Sequence, residues 1–148
     1  MKTVHKSVLI WYSAAEMFAL VTDVARYPEF LPWCDQASVV DETADGMTAK
    51  IGISMAGIRQ SFTTRNIHQA DRKVSLKLVN GPFSKLDGAW EFSPVGDGSQ
   101  RACKVDLMLR YDFDSMALAA LVGPVFGKIA GSLVDAFVKR ASVVYGDA

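Results

Sequence analysis

Between Met47 and Phe113 the chain alternates short β-rich runs with turns built on Gly and Asp, and a single long helical segment follows, from about Ser115 to Tyr145. That order constrains the fold more than any other feature. A sheet of seven strands is about 30 Å wide at about 4.8 Å per strand. A helix is only about 10 Å across. One helix therefore cannot cover the concave face of such a sheet, and unless large side chains plug the remainder an apolar cavity is left. A cavity of that kind suits a lipophilic ligand better than it suits catalysis.

The periodicities predict the elements in turn. Thr3 to Trp11 reads as a first strand, and Ser13-Ala14-Ala15-Glu16 as a capping box opening a helix that runs to about Asp23. Pro28 ends that helix, because the residue before a proline avoids the helical region. The aromatic run Arg26 to Cys34 then predicts a second short helix closed by Pro32. It serves either as a plug for one end of the sheet or as a lid over a cavity mouth. Strands are predicted at Ala37–Asp41, Met47–Ala56, Arg59–His68, Lys73–Asn80, Lys85–Phe92 and Arg101–Phe113. In the last of these, Val105, Leu107, Leu109, Tyr111 and Phe113 share one face, and Lys104, Asp106, Arg110 and Asp112 the other, with Met108 the exception. One face is buried and one is wet.

The final helix begins at Asp114 or Ser115 and ends near Gly146. Lys128, Asp135, Lys139 and Ser142 fall on its wet side; Val122, Phe126, Ile129, Leu133 and Phe137 fall opposite. Gly123, Gly127 and Gly131 form a stripe beside the apolar face. Each costs about 1 kcal/mol against Ala in a helix interior, which points to close packing or to room for a ligand. Pro124 is expected to kink the helix or to split off a short first piece.

At 148 residues the chain is expected to form a single domain over 1–148 with a real core. Its net charge is zero, but the charge is patterned. Residues 59–85 carry Arg59, Arg65, Arg72, Lys73, Lys77 and Lys85 against Asp71 alone, a net of +5, between acidic flanks. Such a run is either a solvated sheet face or a contact for an anionic partner such as lipid headgroups or RNA. Cys34 and Cys103 lie far apart without CxxC spacing and read as reduced thiols of a cytosolic protein. The apolar stretch Met116–Phe126 is shorter than the ~20 residues of a membrane span, so a soluble protein is expected.

Catalytic signatures are missing. His5 and His68 have no ligand-spaced neighbours, and no phosphate loop or GxSxG elbow occurs. The chain also lacks the evident nucleic-acid-binding signatures, having no RNP-like aromatics and no zinc spacing; no DNA partner is expected. Cys34 beside Trp33 reads as packing rather than as a nucleophile, and His68 as a surface residue.

Strand, two short helices, six strands and a long helix is the helix-grip order. Val24 to Cys34, Phe62-Thr63-Thr64-Arg65-Asn66, Gly81-Pro82-Phe83 and Leu86-Asp87-Gly88-Ala89-Trp90-Glu91-Phe92 resemble the START-like polyketide cyclase/dehydrase superfamily. So do Leu121 to Phe126 and Asp135 to Ala141 in the last helix. The likeness is to the branch of coenzyme-Q-binding proteins and bacterial ribosome-association toxins, and it spans nearly the whole chain. It implies an α+β helix-grip (START/Bet v 1-like) fold: a seven-stranded curved antiparallel sheet around the C-terminal helix, with two short helices after the first strand. It implies a non-enzymatic carrier of a lipophilic quinone, ubiquinone-like, in a hydrophobic tunnel, supporting respiration and needing no cofactor.

The alternative is a toxin-like regulator that binds the large ribosomal subunit and blocks subunit association; an aromatic polyketide cyclase is a third reading. The expected location is cytoplasmic in a bacterium, with peripheral contact at the inner membrane for a lipid carrier. The candidate ligand-binding residues are Tyr27, Phe30, Leu31 and Trp33 at the entrance, and Val122, Phe126, Ile129 and Leu133 along the wall. For each wall residue plain core packing is the competing reading.

Overall fold

The computed structural model describes residues 1–146. In chain order the elements are β1 (Lys2–Ile10), α1 (Ala14–Thr22), a 3₁₀ helix (Val24–Glu29), β2 (Cys34–Thr43), β3 (Gly46–Met55), β4 (Ile58–Gln69), β5 (Lys73–Asn80), β6 (Phe83–Pro94), β7 (Cys103–Phe113) and α2 (Met116–Tyr145). Among the described residues seven strands form one antiparallel sheet in the order β1-β7-β6-β5-β4-β3-β2. The meander from β2 to β7 is joined at its far edge by β1, which pairs with β7 from Lys2 opposite Tyr111 to Ile10 opposite Cys103. The sheet curls around α2, as expected for the helix-grip order.

Local chemistry fixes the helix boundaries. The Ser13 Oγ accepts from the Glu16 amide at 3.1 Å, and the Ser13 amide donates to the Glu16 Oε1 at 2.9 Å, a complete capping box for α1. The expected second helix from Arg26 to Pro32 is instead a tight 3₁₀ helix two residues earlier, with Pro28 inside it. Its bonds are of the three-residue kind, Arg26 amide to Asp23 carbonyl and Phe30 amide to Tyr27 carbonyl, both 3.2 Å. A proline without an N–H fits so short a run. α1 has already stopped at Thr22, so Pro28 does not end it.

α2 is capped by the Ser115 Oγ, which accepts from the Leu118 amide at 3.1 Å, and closes at Gly146, whose φ of 79° belongs to the left-handed region. It runs without a break through Pro124, contrary to the expected division. The carbonyl left without an intrahelical partner belongs to Ala120, which is exposed and can be hydrated. The glycine stripe is not a steric necessity. A Cβ on Gly123 or Gly127 would stand 3.7 Å from Phe113 and 3.8 Å from the Tyr111 hydroxyl, ordinary contact distances, and one on Gly131 would meet nothing. By length and composition alone α2 would also suit a membrane span, with a mean hydropathy of 1.7 in its most apolar stretch. The shorter count that ended at Phe126 missed this, because Ile, Ala, Leu and Val continue past Lys128. In the fold one side of α2 is core: Val122, Phe126, Ile129, Ala130, Val134, Phe137 and Ala141 are buried.

The core is a continuous apolar layer between the concave sheet and α2, dominated by aromatic rings at both ends. At one end Phe126 lies 4.7 Å from Tyr111 and 4.9 Å from Phe83 between ring centroids. At the other, Phe137 meets Phe30 at 5.1 Å, Trp90 at 5.2 Å and Tyr27 at 5.5 Å.

Candidate functional site

Between these two aromatic clusters a cavity of about 90 Å³ remains. Strand alternation builds its floor: Ala49 and Ile51 from β3, Val74 and Leu76 from β5, and Leu107 and Leu109 from β7 project from the concave face. α2 supplies the roof through Phe126, Ile129 and Leu133. The sheet is thus under-covered by one helix, but large side chains fill most of the gap. Ligand pockets usually measure about 300–1,000 Å³, so a molecule the size of a quinone enters only if side chains of the wall move.

Five of the eight residues singled out from the sequence line this cavity: Tyr27, Trp33, Phe126, Ile129 and Leu133. Three stand off it. Phe30 packs behind Tyr27, 6.1 Å between centroids, with the Arg140 guanidinium 4.9 Å over its ring. Leu31 is wholly buried in the turn leaving the 3₁₀ helix, where its amide donates to the Tyr27 carbonyl at 2.9 Å. Val122 is buried in the core one turn before Phe126. The 3₁₀ segment is fastened down. The Tyr27 hydroxyl donates to the Val21 carbonyl, and burial pushes its pKa upward. Arg140 of α2 holds Glu29 at 3.0 Å.

Two residues of the cavity wall are polar, and sequence reasoning did not single them out. Thr64 and Asn66 are buried on the concave side of β4, and the Thr64 hydroxyl donates to the Asn66 Oδ1 at 2.7 Å. Two positions further along the same face, His68 is half-buried rather than on the surface, its ring edge-on to Phe18 at 5.8 Å. Its Nε2 is buried without a partner. Burial first, and then the Arg65 charge, lower the His68 pKa and favour the neutral ring.

Neither cysteine is set up as a nucleophile. Burial raises the Cys34 thiol, whose Sγ donates to the Gln36 carbonyl at 3.4 Å, and pushes Cys103 up to about 11. His5 faces outward, 3.6 Å from Asp106. Among the described residues no group of three or more His, Cys, Asp or Glu side chains is arranged to hold a metal.

The outer face of the sheet carries the cations. Arg65 lies opposite Lys77, Lys77 opposite Asp87 and Asp87 opposite Arg110, so a row of charge crosses four strands. The excess of +5 in residues 59–85 is largely neutralised by acids from other segments. Arg65 binds Asp45 at 2.8 Å, Lys73 reaches Glu91 at 3.5 Å, and Arg59 lies 3.8 Å from Asp35. Arg72, Lys77 and Lys85 are exposed and form no ion pair among the described residues.

This architecture recurs in known proteins. A START superfamily protein from Mycobacterium smegmatis superposes with a TM-score of 0.80 at 19% identity, over 96% of this chain and 98% of that one. The ribosome association toxin RatA of Vibrio cholerae is 42% identical over 147 residues, 99% of this chain and 100% of that protein. The mitochondrial coenzyme Q-binding protein COQ10 homolog B of Xenopus laevis is 25% identical over 142 residues, 95% of this chain and 58% of that one. Both relatives are named for association or binding rather than for a reaction. Residues 10–138 match the family described as polyketide cyclase / dehydrase and lipid transport, and the chain belongs to that family.

Proposed function

We propose that this protein associates with the ribosome, and that it does so without catalysing a reaction. The observation that carries this reading is the end-to-end similarity, at 42% identity, to a protein named as a ribosome association toxin. The outer face of the sheet offers the means: Arg65, Lys73 and Lys77 stand on neighbouring strands there, opposite the cavity side. The first two are paired with Asp45 and Glu91, while Lys77, with Arg72 and Lys85, is exposed without an acidic partner among the described residues. Cations spaced across a sheet suit the phosphates of ribosomal RNA, and a contact of that kind weakens steeply with salt. Attachment to the large subunit, opposing subunit association, is the specific form we propose, and it places the protein in the cytoplasm.

The test is co-sedimentation with purified large subunits at rising potassium chloride. The wild type is expected to pellet with subunits at low salt and to be released as salt rises. A variant carrying Arg65→Glu, Lys73→Glu and Lys77→Glu, with its fold checked by circular dichroism, is expected to bind weakly at every salt concentration. An unchanged profile for that variant would remove the outer face from the contact.

The cavity supports a second reading, in which a lipophilic quinone or related lipid is held between sheet and α2. Its support is the apolar lining, together with the coenzyme Q-binding relative, which this chain matches at lower identity and over 58% of that protein's length. Tyr27, Trp33, Phe126, Ile129 and Leu133 would touch the ligand, with Phe30, Leu31 and Val122 supporting them from behind. Burying an isoprenoid tail is favourable by about 25 cal/mol per Å². Peripheral contact with the inner membrane belongs to this reading. One function uses the outside of the sheet and the other the inside, so they can coexist.

A further inference from the structure

Thr64 and Asn66 are the buried polar side chains of the described residues, and both line the cavity. A buried amide is costly unless its hydrogen-bonding groups are paired. The Thr64 hydroxyl has a single proton, which it gives to the Asn66 Oδ1 at 2.7 Å. That bond turns the amide so that Oδ1 faces Thr64 and the nitrogen faces away from it. The nitrogen carries two donor hydrogens. Its cross-strand neighbours offer no side-chain acceptor: Met47 lies opposite Asn66 on β3 and Leu76 on β5, while Ala49 and Leu78 flank Thr64. His68, two positions along the same face, makes no hydrogen bond to it, and its buried Nε2 is without a partner. No hydrogen bond from this nitrogen occurs among the described residues, and it is not sealed off as the buried Arg65 Nη1 and His68 Nε2 are. What adjoins the pair on the remaining side is the cavity.

We infer that Thr64 and Asn66 form a binding point for the carbonyl oxygen of a neutral, otherwise apolar molecule. This rests on the reading of the cavity as a ligand site and adds what that ligand must carry. The class is narrowed by charge. The cavity lining contains no Lys, Arg or His, and Arg65 points to the outer face, so a fatty-acid carboxylate or a phosphate would be buried without a counter-ion. A pure hydrocarbon would leave the amide donors unpaired. A ketone or quinone satisfies both conditions: it accepts from Nδ2 and is uncharged.

The experiment uses three matched probes: decanophenone, the alcohol made by reducing it, and decylbenzene. Each is titrated against the full chain preloaded with Nile red, and dye displacement gives the dissociation constants. The wild type is expected to bind decanophenone about tenfold more tightly than decylbenzene. In Asn66→Leu, which keeps the volume and loses the donors, the ratio is expected to fall to about one. Equal binding of ketone and hydrocarbon by the wild type overturns the inference and leaves the cavity as a ligand site. Preference for the alcohol also overturns it, because the amide would then present its oxygen. Failure of all three to displace the dye overturns the inference and the cavity reading together. The wild-type ratio requires no variant, so a poorly folded Asn66→Leu does not prevent the decision.

Discussion

Replacing Phe126 with alanine tests whether α2 is seated on a packed aromatic wall. Phe126 is 4% exposed, and its ring centroid lies 4.7 Å from Tyr111, 4.9 Å from Phe83, 6.2 Å from Phe62 and 6.3 Å from Phe113. A buried phenylalanine removes about 150–250 Å² from water, which at 25 cal/mol per Å² is about 4–6 kcal/mol. An extended-chain reference inflates that figure, and Phe→Ala changes in cores cost about 3–5 kcal/mol. We therefore expect a loss of about 4 kcal/mol, a large part of the total stability of an ordinary domain. With a urea slope of about 2 kcal/mol per molar, the unfolding midpoint should fall by about 2 M. Trp33 and Trp90 report the transition by fluorescence, since both line the cavity. The vacated space adjoins the existing cavity of about 90 Å³. A small apolar probe such as benzene, held at a hundred times its dissociation constant, should then recover about 2.7 kcal/mol in the variant. A loss below about 1 kcal/mol would refute this reasoning, because the aromatic cluster would not be the wall described.

Two further outcomes follow from the same geometry. Gly131→Ala adds a Cβ that meets nothing, so the helix should gain about 0.5–1 kcal/mol from its higher propensity. Thermal denaturation should show a rise of about 1–4 °C, and a fall would mean the gap is needed. Glu16 is held at about 2, against an ordinary value of 4.5, chiefly by the Arg101 guanidinium, whose Nε and Nη2 donate to it at 2.8 and 2.7 Å. A carboxylate lowered on folding stabilises the protein above its unfolded pKa, and that contribution disappears as pH falls from about 4.5 to about 2. Arg101→Gln should flatten the acid-side decline in urea-derived stability between pH 5 and pH 2.5; an identical decline would count against the pairing.

Alternation and turn residues made the strands legible, because a sheet with one wet face imposes a period of two on its sequence. β7 shows this well: Val105, Leu107, Leu109 and Tyr111 are all buried, and Met108, on the outer face, is 41% exposed. β4 shows the limit. Phe62, Thr64, Asn66 and His68 form one face, and Thr63, Arg65 and Ile67 the other. Each set holds one large apolar residue among polar ones, so hydropathy cannot tell which side is buried, and the Thr64–Asn66 pair went unnoticed. The signal that does decide it lies in the neighbouring strands, since Ala49 and Leu76 share the concave face with them. The basic run overstated the free charge for a related reason. Asp45 and Glu91, which pair with Arg65 and Lys73, come from segments outside it, and only the register brings them together.

The pairing of β1 with β7 also sets an order of events during synthesis. β1 ends at Ile10, and its partner begins at Cys103. At about 5–20 residues per second the first strand waits roughly 5–20 s before its neighbour has even been made. The hairpins from β2 to β6 can close in the meantime, each over a short loop, whereas β1 must be gathered in across most of the chain. The strand made first is thus the last to be paired. Through that interval its backbone edge stands unpaired and open to other strands.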